Sequence, residues 1–387
     1  MGWSDIGCYG SEVATPNIDK MAAEGMRFTQ VYNTAKCFPS RACLLTGLYS
    51  QRTGYNKKFK KPLNNAITLG ELFKSKGYIT MWSGKHHSNE NPVTRGFDHY
   101  SGLLDGAVNY FNPGLKREGE DEPARKNKYR NWVIEGEIIN PYTPTKDFYT
   151  TDTFTDYALG WLDQYKEAQK PFFLYMSYNA PHDPLMAWPE DIKKYKGKYK
   201  EGYEVIRQRR FEKQKALGLL PKDYPLSESM HKKWDDLTEE EKDVEDTKMA
   251  VYAAMIDRLD QNIGRLQAKL KALNVDDNTL IIFVSDNGAS SEDAEKHFKS
   301  TGDIGSVSNW SSLKKNWANV ANTPLRYFKN WSHEGGIKTP MIANWPKGIS
   351  NKNSIENTPL HFIDFMSTFS EMIDAEYPKK YNNYDVT

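Results

Sequence analysis

Three short apolar runs along the chain each end in a cluster of polar or ionisable residues. The runs span residues 78–83, 172–178 and 279–285, and the clusters are Gly84-Lys85-His86-His87, Asn179-Ala180-Pro181-His182 and Asp286-Asn287-Gly288. Near-continuous apolar strands are typical of a parallel sheet that is covered on both faces. Ligands of such sheets bind beyond the carboxyl ends of the strands. The pattern therefore predicts that the three polar clusters lie along one sheet edge.

Helical patterns lie between these predicted strands. Thr15-Pro16 predicts a helix over residues 17–24 that ends at Gly25, and Thr358-Pro359 predicts another near the end of the chain. Apolar positions at helical spacing form core-facing stripes. The stripes comprise Phe154, Tyr157, Trp161, Leu162 and Tyr165; Tyr252, Ile256, Leu259, Ile263, Leu266 and Leu270; and Leu360, Ile363, Met366 and Phe369. We predict an α/β fold with a large, mostly parallel sheet flanked by helices.

Two segments, residues 113–147 and 193–246, interrupt this alternation. The first is rich in proline, glycine and charge, and its Asn131-Trp132-Val133-Ile134 patch predicts a hairpin. The second is basic up to position 215 and becomes acidic from Asp235. We interpret both as insertions with solvated faces, and a role in lining the substrate site is the alternative.

The composition excludes several classes of protein. The 387 residues could form one large α/β domain or two modules, and 17 Phe, 23 Tyr and 10 Trp are too many for a disordered chain. Because 52 Lys and Arg face 51 Asp and Glu, the net charge of +1 provides no global field for nucleic acid. No apolar run approaches the length of a membrane span. Any recognition of an anion must therefore be local.

The most specific string in the chain is Cys37-Phe38-Pro39-Ser40-Arg41-Ala42-Cys43-Leu44-Leu45-Thr46-Gly47. Pro39 can begin a helix, which would place Cys37 at a helix N-terminus with Arg41 one turn later on the same face. Such a helix start favours anions. With Cys8 and Cys43 the chain holds three cysteines, which do not form a disulfide framework. For an isolated cysteine, a buried structural thiol would be the simpler interpretation.

The string resembles the hallmark of the sulfatase family, in which Cys or Ser, any residue, Pro, Ser and Arg precede Thr-Gly. In that family the hallmark cysteine is oxidised after synthesis to formylglycine, an aldehyde whose hydrate is the nucleophile. The resemblance therefore implies this modification for Cys37, with a maturation enzyme as partner. Phe38 departs from the family pattern, where a small residue is usual.

Four further motifs resemble the family in order and spacing. They are Gly77-Tyr78-Ile79-Thr80 with Gly84-Lys85-His86-His87; Asn179-Ala180-Pro181-His182; Ser285-Asp286-Asn287-Gly288; and the segment from Asn322 to Lys329 with Glu334-Gly335-Gly336-Ile337 and Thr339-Pro340 behind it. The spacing favours His87 over His86 as the family histidine. The region from Phe148 to Leu219 and His333 before Glu334 are similar to the bacterial arylsulfatase branch.

The resemblance implies a sulfuric ester hydrolase that acts on aryl or carbohydrate sulfates. The implied catalytic residues are Cys37, Arg41, Lys85, His87, His182 and Lys329. Of these, Lys85, His182 and Lys329 would also contact the substrate, and His333, four residues beyond Lys329, is a further candidate for the same pocket. The implied Ca²⁺ site, with Mg²⁺ as the alternative ion, comprises Asp286, Asn287 and the modified Cys37.

Both ends of the sequence depart from the family pattern. Family members place two adjacent aspartates directly before a Met-Gly-Tyr/Trp-Ser-Asp segment, whereas this sequence opens with Met1-Gly2-Trp3-Ser4-Asp5. We therefore expect a sulfatase catalytic domain over residues 1–387 that lacks the first strand, the aspartate pair and an export signal, and most of the C-terminal subdomain after about residue 377. On this interpretation the chain as given would be inactive, Asp5 is structural, and the full-length protein is periplasmic or secreted.

Two alternative functions stay open. A phosphomonoesterase or phosphodiesterase of the same superfamily would share the fold, although Ser40 in the nucleophile string favours sulfate. A catalytically dead, glycan-binding relative would lack the metal-binding pair. For the sulfatase interpretation, the expected partner is a sulfated small molecule or glycan, with no nucleic acid and no membrane span.

Overall fold

The computed structural model describes residues 1–54, 63, 65–125, 128–168, 170–298, 300–381 and 384–385. The α-helices are α1 (Pro16–Glu24), α2 (Cys37–Thr46), α3 (Leu69–Ser75), α4 (Thr150–Ala168), α5 (Pro189–Lys193), α6 (Gly202–Ala216), α7 (Glu239–Ala272), α8 (Lys314–Ala321), α9 (Glu334–Ile337) and α10 (Asp364–Met372). The strands are β1 (Met26–Tyr32), β2 (Ile79–Lys85), β3 (His99–Leu103), β4 (Trp132–Ile134), β5 (Glu137–Ile139), β6 (Phe172–Ser177), β7 (Ile281–Val284), β8 (Lys338–Asn344), β9 (Ser354–Glu356), β10 (Leu360–His361), β11 (Lys380–Tyr381) and β12 (Tyr384–Asp385).

The chain divides into two compact units. The first unit comprises Met1–Ala35, Arg117–Lys126 and Ala180–Pro359, and the second comprises Lys36–Lys116, Asn127–Asn179 and Leu360–Thr387. Each unit contains a β-sheet with helices packed against it. No helix within the described residues is both long enough and apolar enough to cross a bilayer.

The sheet of the second unit has the strand order β5-β4-β3-β2-β6. Strand β2 pairs in parallel with β3 and β6, whereas β4 is antiparallel to both β3 and β5. Helix α4 packs on β2, β3 and β6, and its Phe154 and Leu162 are fully buried. The indole N–H of Trp82 on β2 donates to Ser177 Oγ on β6 at 2.6 Å. These contacts fix the carboxyl ends of β2 and β6 side by side.

The sheet of the first unit has β8 between β1 and β7, antiparallel to both, and β9 adds to β1 in parallel. The buried Tyr9 hydroxyl lies 2.8 Å from Phe28 O on β1 and 2.7 Å from Met341 O on β8. Helix α7 packs against α1 and α5 in the same unit. The predicted stripe on α7 is confirmed, since Tyr252, Ile256 and Leu259 are buried.

The predicted α/β class is confirmed, but the predicted predominance of parallel pairing is correct only for the strands around β2. Apolar runs such as that of β7 satisfy a buried antiparallel strand as well as a parallel one, so strand direction was not determined by the pattern. The hairpin predicted near Trp132 is confirmed as the antiparallel pair β4 and β5.

The predicted helix ends differ in how well they agree with the structure. Helix α1 covers Pro16–Glu24 with Gly25 after it, as predicted. The helix predicted from Thr358-Pro359 instead begins at Asp364, and Leu360 lies in β10. The Thr358 backbone N–H and hydroxyl both donate to Glu356 Oε1, at 2.7 and 2.6 Å. A threonine side chain that is hydrogen-bonded to a preceding residue in this way does not cap a helix that follows it.

The segment 193–246 is not only a solvated insertion. Helix α6 has an exposed basic face, but the opposite face is buried, and Arg210 on it is fully inaccessible. Arg210 Nη1 lies 3.0 Å from Asp5 Oδ1, and its Nη2 lies 2.7 Å from Glu12 Oε1. Asp5 also accepts hydrogen bonds from Tyr252 Oη and from the Gly2 N–H. A buried cation needs such partners, so α6 is part of the core of the first unit.

We expect Arg210→Met to lower the free energy of unfolding by about 3–5 kcal/mol, because it leaves the Asp5 carboxylate buried without its cation. Urea titration of the purified chain measures this change. Arg209→Met is the matched control: Arg209 and its partner Glu201 are about half exposed, so the cost should stay below about 1 kcal/mol. Equal losses for the two variants would contradict a structural role of the Arg210 ion pair.

Candidate active site

Cys37 is the first residue of α2 in the second unit. Lys36 before it is extended, with φ −149° and ψ 143°, and the helix ends at Gly47, whose φ of 71° is left-handed and favours glycine. The predicted helix start is thereby confirmed. Cys37 is buried, and the helix N-terminus contributes partial positive charge at its position. A negatively charged group bound here would be stabilised.

His87 contacts Cys37 directly. It lies two residues after β2, and its Nδ1 is 3.1 Å from Cys37 Sγ. Its φ of 71° is a left-handed backbone conformation that is uncommon for a residue with a side chain. Gly106 leaves room for the imidazole, because a Cβ at that glycine would lie 2.5 Å from His87 Nε2. Backbone strain and a close glycine therefore both hold the ring against the cysteine.

The neighbouring His86 has a different environment. Its ring packs edge-on against Trp82 with 4.6 Å between centroids, and its backbone N–H donates to Leu103 O at 2.7 Å. Burial, with a smaller contribution from the charge of Arg41, lowers the pKa of His86 to about 3. His86 is therefore a neutral core residue.

Arg41 and Lys85 are two buried cations of the second unit. Arg41 Nη1 donates to Lys85 O at 2.7 Å, and the same carbonyl accepts a hydrogen bond from Ser177 Oγ at 2.8 Å. Arg41 is 7% exposed and Lys85 is 2% exposed. Keeping charged groups out of water is costly unless anions or hydrogen-bond acceptors compensate them. Together with the start of α2, they make this region suited to a dianionic or monoanionic ligand.

The other two cysteines are poor candidates for chemistry. Burial raises the pKa of the Cys43 thiol to about 11. Burial and the adjacent Asp19 carboxylate raise the pKa of Cys8 well above its ordinary value. Both therefore stay protonated at neutral pH, and protonated thiols are weak nucleophiles.

A second group of predicted residues meets in the first unit. His182 Nε2 lies 3.0 Å from Lys329 Nζ, and Lys329 Nζ lies 3.5 Å from Glu292 Oε1. His182 Nδ1 lies 2.8 Å from the backbone oxygen of Asp183 and 3.3 Å from its Oδ1. Lys329 is 2% exposed. The structure thus joins the predicted pair His182 and Lys329 to two carboxylates.

The backbone around Lys329 is strained. Tyr327 and Asn330 have left-handed φ values of 64° and 74°. The Lys329 N–H donates to Ala289 O at 3.0 Å, which anchors the segment. Non-glycine residues in this region of φ cost about 1–3 kcal/mol each, so the surrounding contacts must impose the conformation. His333 is exposed, with its ring packed on Tyr327 at 4.3 Å between centroids.

Asp286 and Asn287, the predicted metal ligands, follow β7 in the first unit. Asn287 is 4% exposed, and its Oδ1 is buried without a hydrogen-bond partner within the described residues, although its amide nitrogen donates to Gly288 O at 2.8 Å. An unsatisfied buried carbonyl oxygen costs free energy unless something binds it. Ca²⁺ prefers oxygen ligands of this kind, so the pair fits a hard cation.

Asp183 and Glu292 were not predicted from the sequence. With His182 they form a group of metal-type donor atoms within 4.8 Å of one another. The Lys329 ammonium beside His182 and Glu292 disfavours a metal ion there, because like charges repel. Asp183 adjoins a motif histidine and could have been found from that position. Glu292 lies outside every motif named above, and only the fold places it beside Lys329.

The site residues therefore fall into separate groups. Cys37, Arg41, Lys85 and His87 come together in the second unit, and His182 and Lys329 come together in the first. Asp286 and Asn287 follow β7 in the first unit. The contacts of His333 are with the aromatic rings of Tyr327 and Trp331. An α/β fold with a cysteine at a helix start, buried cations and histidines after its strands is suited to hydrolysing esters of inorganic acids.

Comparisons with known proteins identify the class more closely. A profile of the sulfatase family matches residues 1–375. An uncharacterized sulfatase of Schizosaccharomyces pombe is 33% identical over 425 residues, covering 100% of this chain and 76% of that protein. The arylsulfatase of Klebsiella aerogenes is 33% identical over 399 residues, covering 96% of this chain and 84% of that protein. The chain belongs to the sulfatase family and is a sulfate ester hydrolase.

The fold is also similar to that of solved structures. The crystal structure of Ps i-CgsB in complex with k-i-k-neocarrahexaose aligns with a TM-score of 0.64 and 26% identity, covering 100% of this chain and 75% of that chain. The predicted resemblance to sulfatases and the predicted fold class are therefore confirmed.

We expect His86 to make stability depend on pH. The pKa of His86 in the folded protein, about 3, lies below the ordinary histidine value of 6.5, so between these values the unfolded chain binds more protons. Stability is then lost as the pH falls from about 6.5. Urea unfolding at several pH values should show a slope that is smaller in His86→Phe, by up to about 1.4 kcal/mol per pH unit. The carboxylates contribute equally to the pH dependence of the unaltered protein and of His86→Phe. Identical slopes of the free energy of unfolding against pH would therefore contradict a buried neutral His86.

Proposed function

We propose that this chain hydrolyses sulfate monoesters of aryl compounds or carbohydrates through a formylglycine hydrate formed from Cys37. The observation that carries the proposal is the placement of Cys37 at the start of α2, with Sγ 3.1 Å from His87 Nδ1 and the buried Arg41 one turn later. The arylsulfatase of Klebsiella aerogenes and the neocarrahexaose complex support these two substrate classes. In the structure the cysteine stands in for the hydrated aldehyde, and Sγ marks where a hydroxyl would lie.

The hydrate supplies a nucleophile that can be regenerated. One of its hydroxyls would attack sulfur and lose its proton to solvent, the bond between sulfur and the ester oxygen would break, and the alcohol would leave with that electron pair and a proton from an acid in the site. The sulfate is then attached to residue 37. The second hydroxyl would lose its proton, the aldehyde would re-form as the bond from carbon to the sulfate oxygen breaks, sulfate would leave with that electron pair, and addition of water would restore the hydrate. A serine at this position would have no second hydroxyl with which to release the sulfate.

His87 is positioned to take that second proton. Its Nδ1 faces the atom of residue 37 that the hydrate oxygen replaces, within hydrogen-bond reach of it. The left-handed backbone at His87 keeps the ring in this direction. We assign His87 the role of general base for sulfate release.

The buried cations have the task of stabilising charge in the transition state. Cleavage of a sulfate monoester requires the barrier to fall by about 15–20 kcal/mol, which is within the enzymatic range. One well-placed donor supplies about 3–4 kcal/mol. Several must therefore act together, and Arg41, Lys85 and Lys329 are the cations that we assign to sulfate. His182 and Lys329 also provide the leaving-group proton, and His333 extends the substrate contact.

A divalent cation, Ca²⁺ or alternatively Mg²⁺, is part of this proposal. Asp286 and the buried Oδ1 of Asn287 would hold it together with the modified Cys37, and it would draw electron density from the sulfate oxygens. We further propose that the mature protein is periplasmic or secreted, and that a formylglycine-generating enzyme modifies it. Segments 113–147 and 193–246 are proposed to select the sulfated partner, apart from residues 126 and 127, which lie outside the described residues.

The nucleophile is tested by Cys37→Ala, with Cys43→Ala as the matched control. Both proteins are made together with the maturation machinery and assayed on one aryl sulfate and one aryl phosphate. We expect Cys37→Ala to abolish sulfate release, because no hydrate can form. Cys43→Ala should keep turnover and lose only packing energy, since its thiol is buried and protonated.

Three results would contradict this proposal. Equal loss of activity in both variants would mean that Cys37 has no special role. Faster hydrolysis of the phosphate ester than of the sulfate ester by the unaltered protein would favour the phosphatase alternative. A mature protein that contains formylglycine, binds sulfated glycans and turns over none of them would favour the non-catalytic alternative.

The metal site is tested by calorimetric titration with Ca²⁺. We expect Asp286→Asn to weaken binding by at least about tenfold, because Ca²⁺ affinity depends on the charge and number of its oxygen ligands. Asp277→Asn is the control, since this exposed aspartate precedes β7 and lies at its opposite end. Equal affinities of the two variants would place the metal elsewhere.

A further inference from the structure

The first unit contains a continuous row of four ionisable side chains in the order Asp183, His182, Lys329 and Glu292. The distances are 3.3 Å from Asp183 Oδ1 to His182 Nδ1, 3.0 Å from His182 Nε2 to Lys329 Nζ, and 3.5 Å from Lys329 Nζ to Glu292 Oε1. The two outer groups are carboxylates, and neither has been given a role in the reaction above. What they do follows from where the protons in this row must be.

The position of one proton is set by the backbone. His182 Nδ1 lies 2.8 Å from the carbonyl oxygen of Asp183, and a carbonyl oxygen can only accept a hydrogen bond. Nδ1 must therefore carry a proton. Asp183 Oδ1 lies 3.3 Å from the same nitrogen, and Asp183 is only 8% exposed, so its negative charge reinforces this arrangement.

The other imidazole nitrogen faces a cation. If His182 Nε2 were also protonated, an imidazolium and an ammonium would meet at 3.0 Å, which is strongly unfavourable in a buried site. A neutral imidazole with an unprotonated Nε2 can instead accept a hydrogen bond from the Lys329 ammonium. The proton available for a leaving group in this arrangement is therefore on Lys329.

Glu292 acts on the other side of the ammonium. Its Oε1 lies 3.5 Å from Lys329 Nζ and accepts a hydrogen bond from Asn330 Nδ2 at 3.1 Å. Asn330 follows Lys329 directly and has the left-handed φ of 74°. A carboxylate at this distance favours the charged form of a lysine that is almost wholly buried. Glu292 thus keeps the proton on Lys329 and restrains its direction.

We propose that Asp183 and Glu292 are positioning residues that set the leaving-group proton on Lys329: Asp183 through the tautomer of His182, and Glu292 through the charge of the ammonium. This rests on the proposed sulfatase mechanism and refines it. As the bond between sulfur and the ester oxygen breaks, its electron pair stays on that oxygen, which takes a proton from Lys329 Nζ. The neutral amine, hydrogen-bonded to His182 Nε2, then regains a proton from water.

The kinetic test uses Glu292→Gln, which keeps the shape and the hydrogen bond from Asn330 but removes the charge. The mature enzyme is assayed on phenyl sulfate, whose leaving group needs a proton, and on 4-nitrophenyl sulfate, whose leaving group needs it far less. We expect kcat for phenyl sulfate to fall by at least about tenfold and kcat for 4-nitrophenyl sulfate by less than about threefold. Asp183→Asn should show the same pattern, with a larger fall in kcat for phenyl sulfate than for 4-nitrophenyl sulfate.

The matched control is Asp293→Asn. Asp293 is the next residue, and its carboxylate pairs with Lys296 and Lys314 instead of Lys329. We expect no difference between the two substrates in this variant. An equal fall for both esters in Glu292→Gln would indicate a merely structural role and would overturn the proposal.

The tautomer is tested without any turnover. Long-range ¹H–¹⁵N spectra of protein labelled at its eight histidines distinguish Nδ1–H from Nε2–H, and His182→Gln identifies the His182 signals. We expect His182 to be neutral and protonated on Nδ1. A neutral ring protonated on Nε2 would overturn the positioning proposal even if the protein hydrolyses sulfate esters. If the protein has the expected tautomer but is inactive on every sulfate ester, only the proposed function is refuted.

Discussion

The burial of cations is the constraint on which the functional part of this protein depends. Arg41, Lys85 and Lys329 are each at most 7% exposed, and a charge taken out of water costs several kcal/mol unless it is compensated. The carbonyl of Lys85 compensates in part by accepting hydrogen bonds from Arg41 and Ser177, which ties the end of β2 to α2 and β6. Buried cations of this kind are suited to binding a small anion. Such binding needs no excess of basic residues, which agrees with a net charge of +1.

Environment also distinguishes Cys37 from the other two cysteines. Cys43 lies further along the same helix, yet burial raises the pKa of its thiol to about 11. Cys37 has the positive end of the helix and the imidazole of His87 instead. The same contrast separates His87 from His86, which packs on Trp82 as a neutral core residue. Residues of one type thus have different chemistry because their surroundings differ.

Features governed by local sequence were predictable, and features that depend on long-range packing were not. Helix α2 begins at Cys37, as Pro39 led us to predict, and is followed by Gly47, and the apolar runs before Lys85 and His182 contain the strands β2 and β6. The predicted start of α10 was wrong because the Thr358 side chain donates a hydrogen bond to Glu356 instead of capping a helix. The buried role of Arg210 and the contact of Glu292 with Lys329 join residues 198 and 37 positions apart, and no local pattern reports such contacts.

The central claim is that residue 37 reacts as formylglycine and not as a thiol. The most direct measurement compares several preparations with different degrees of maturation, using peptide mass spectrometry for the fraction of Cys37 converted and initial rates for sulfate release from the same samples. We predict that the rate per enzyme molecule is proportional to the converted fraction and extrapolates to zero when that fraction is zero. Sulfate release at an unchanged rate from protein whose Cys37 is entirely an unmodified thiol would contradict the account.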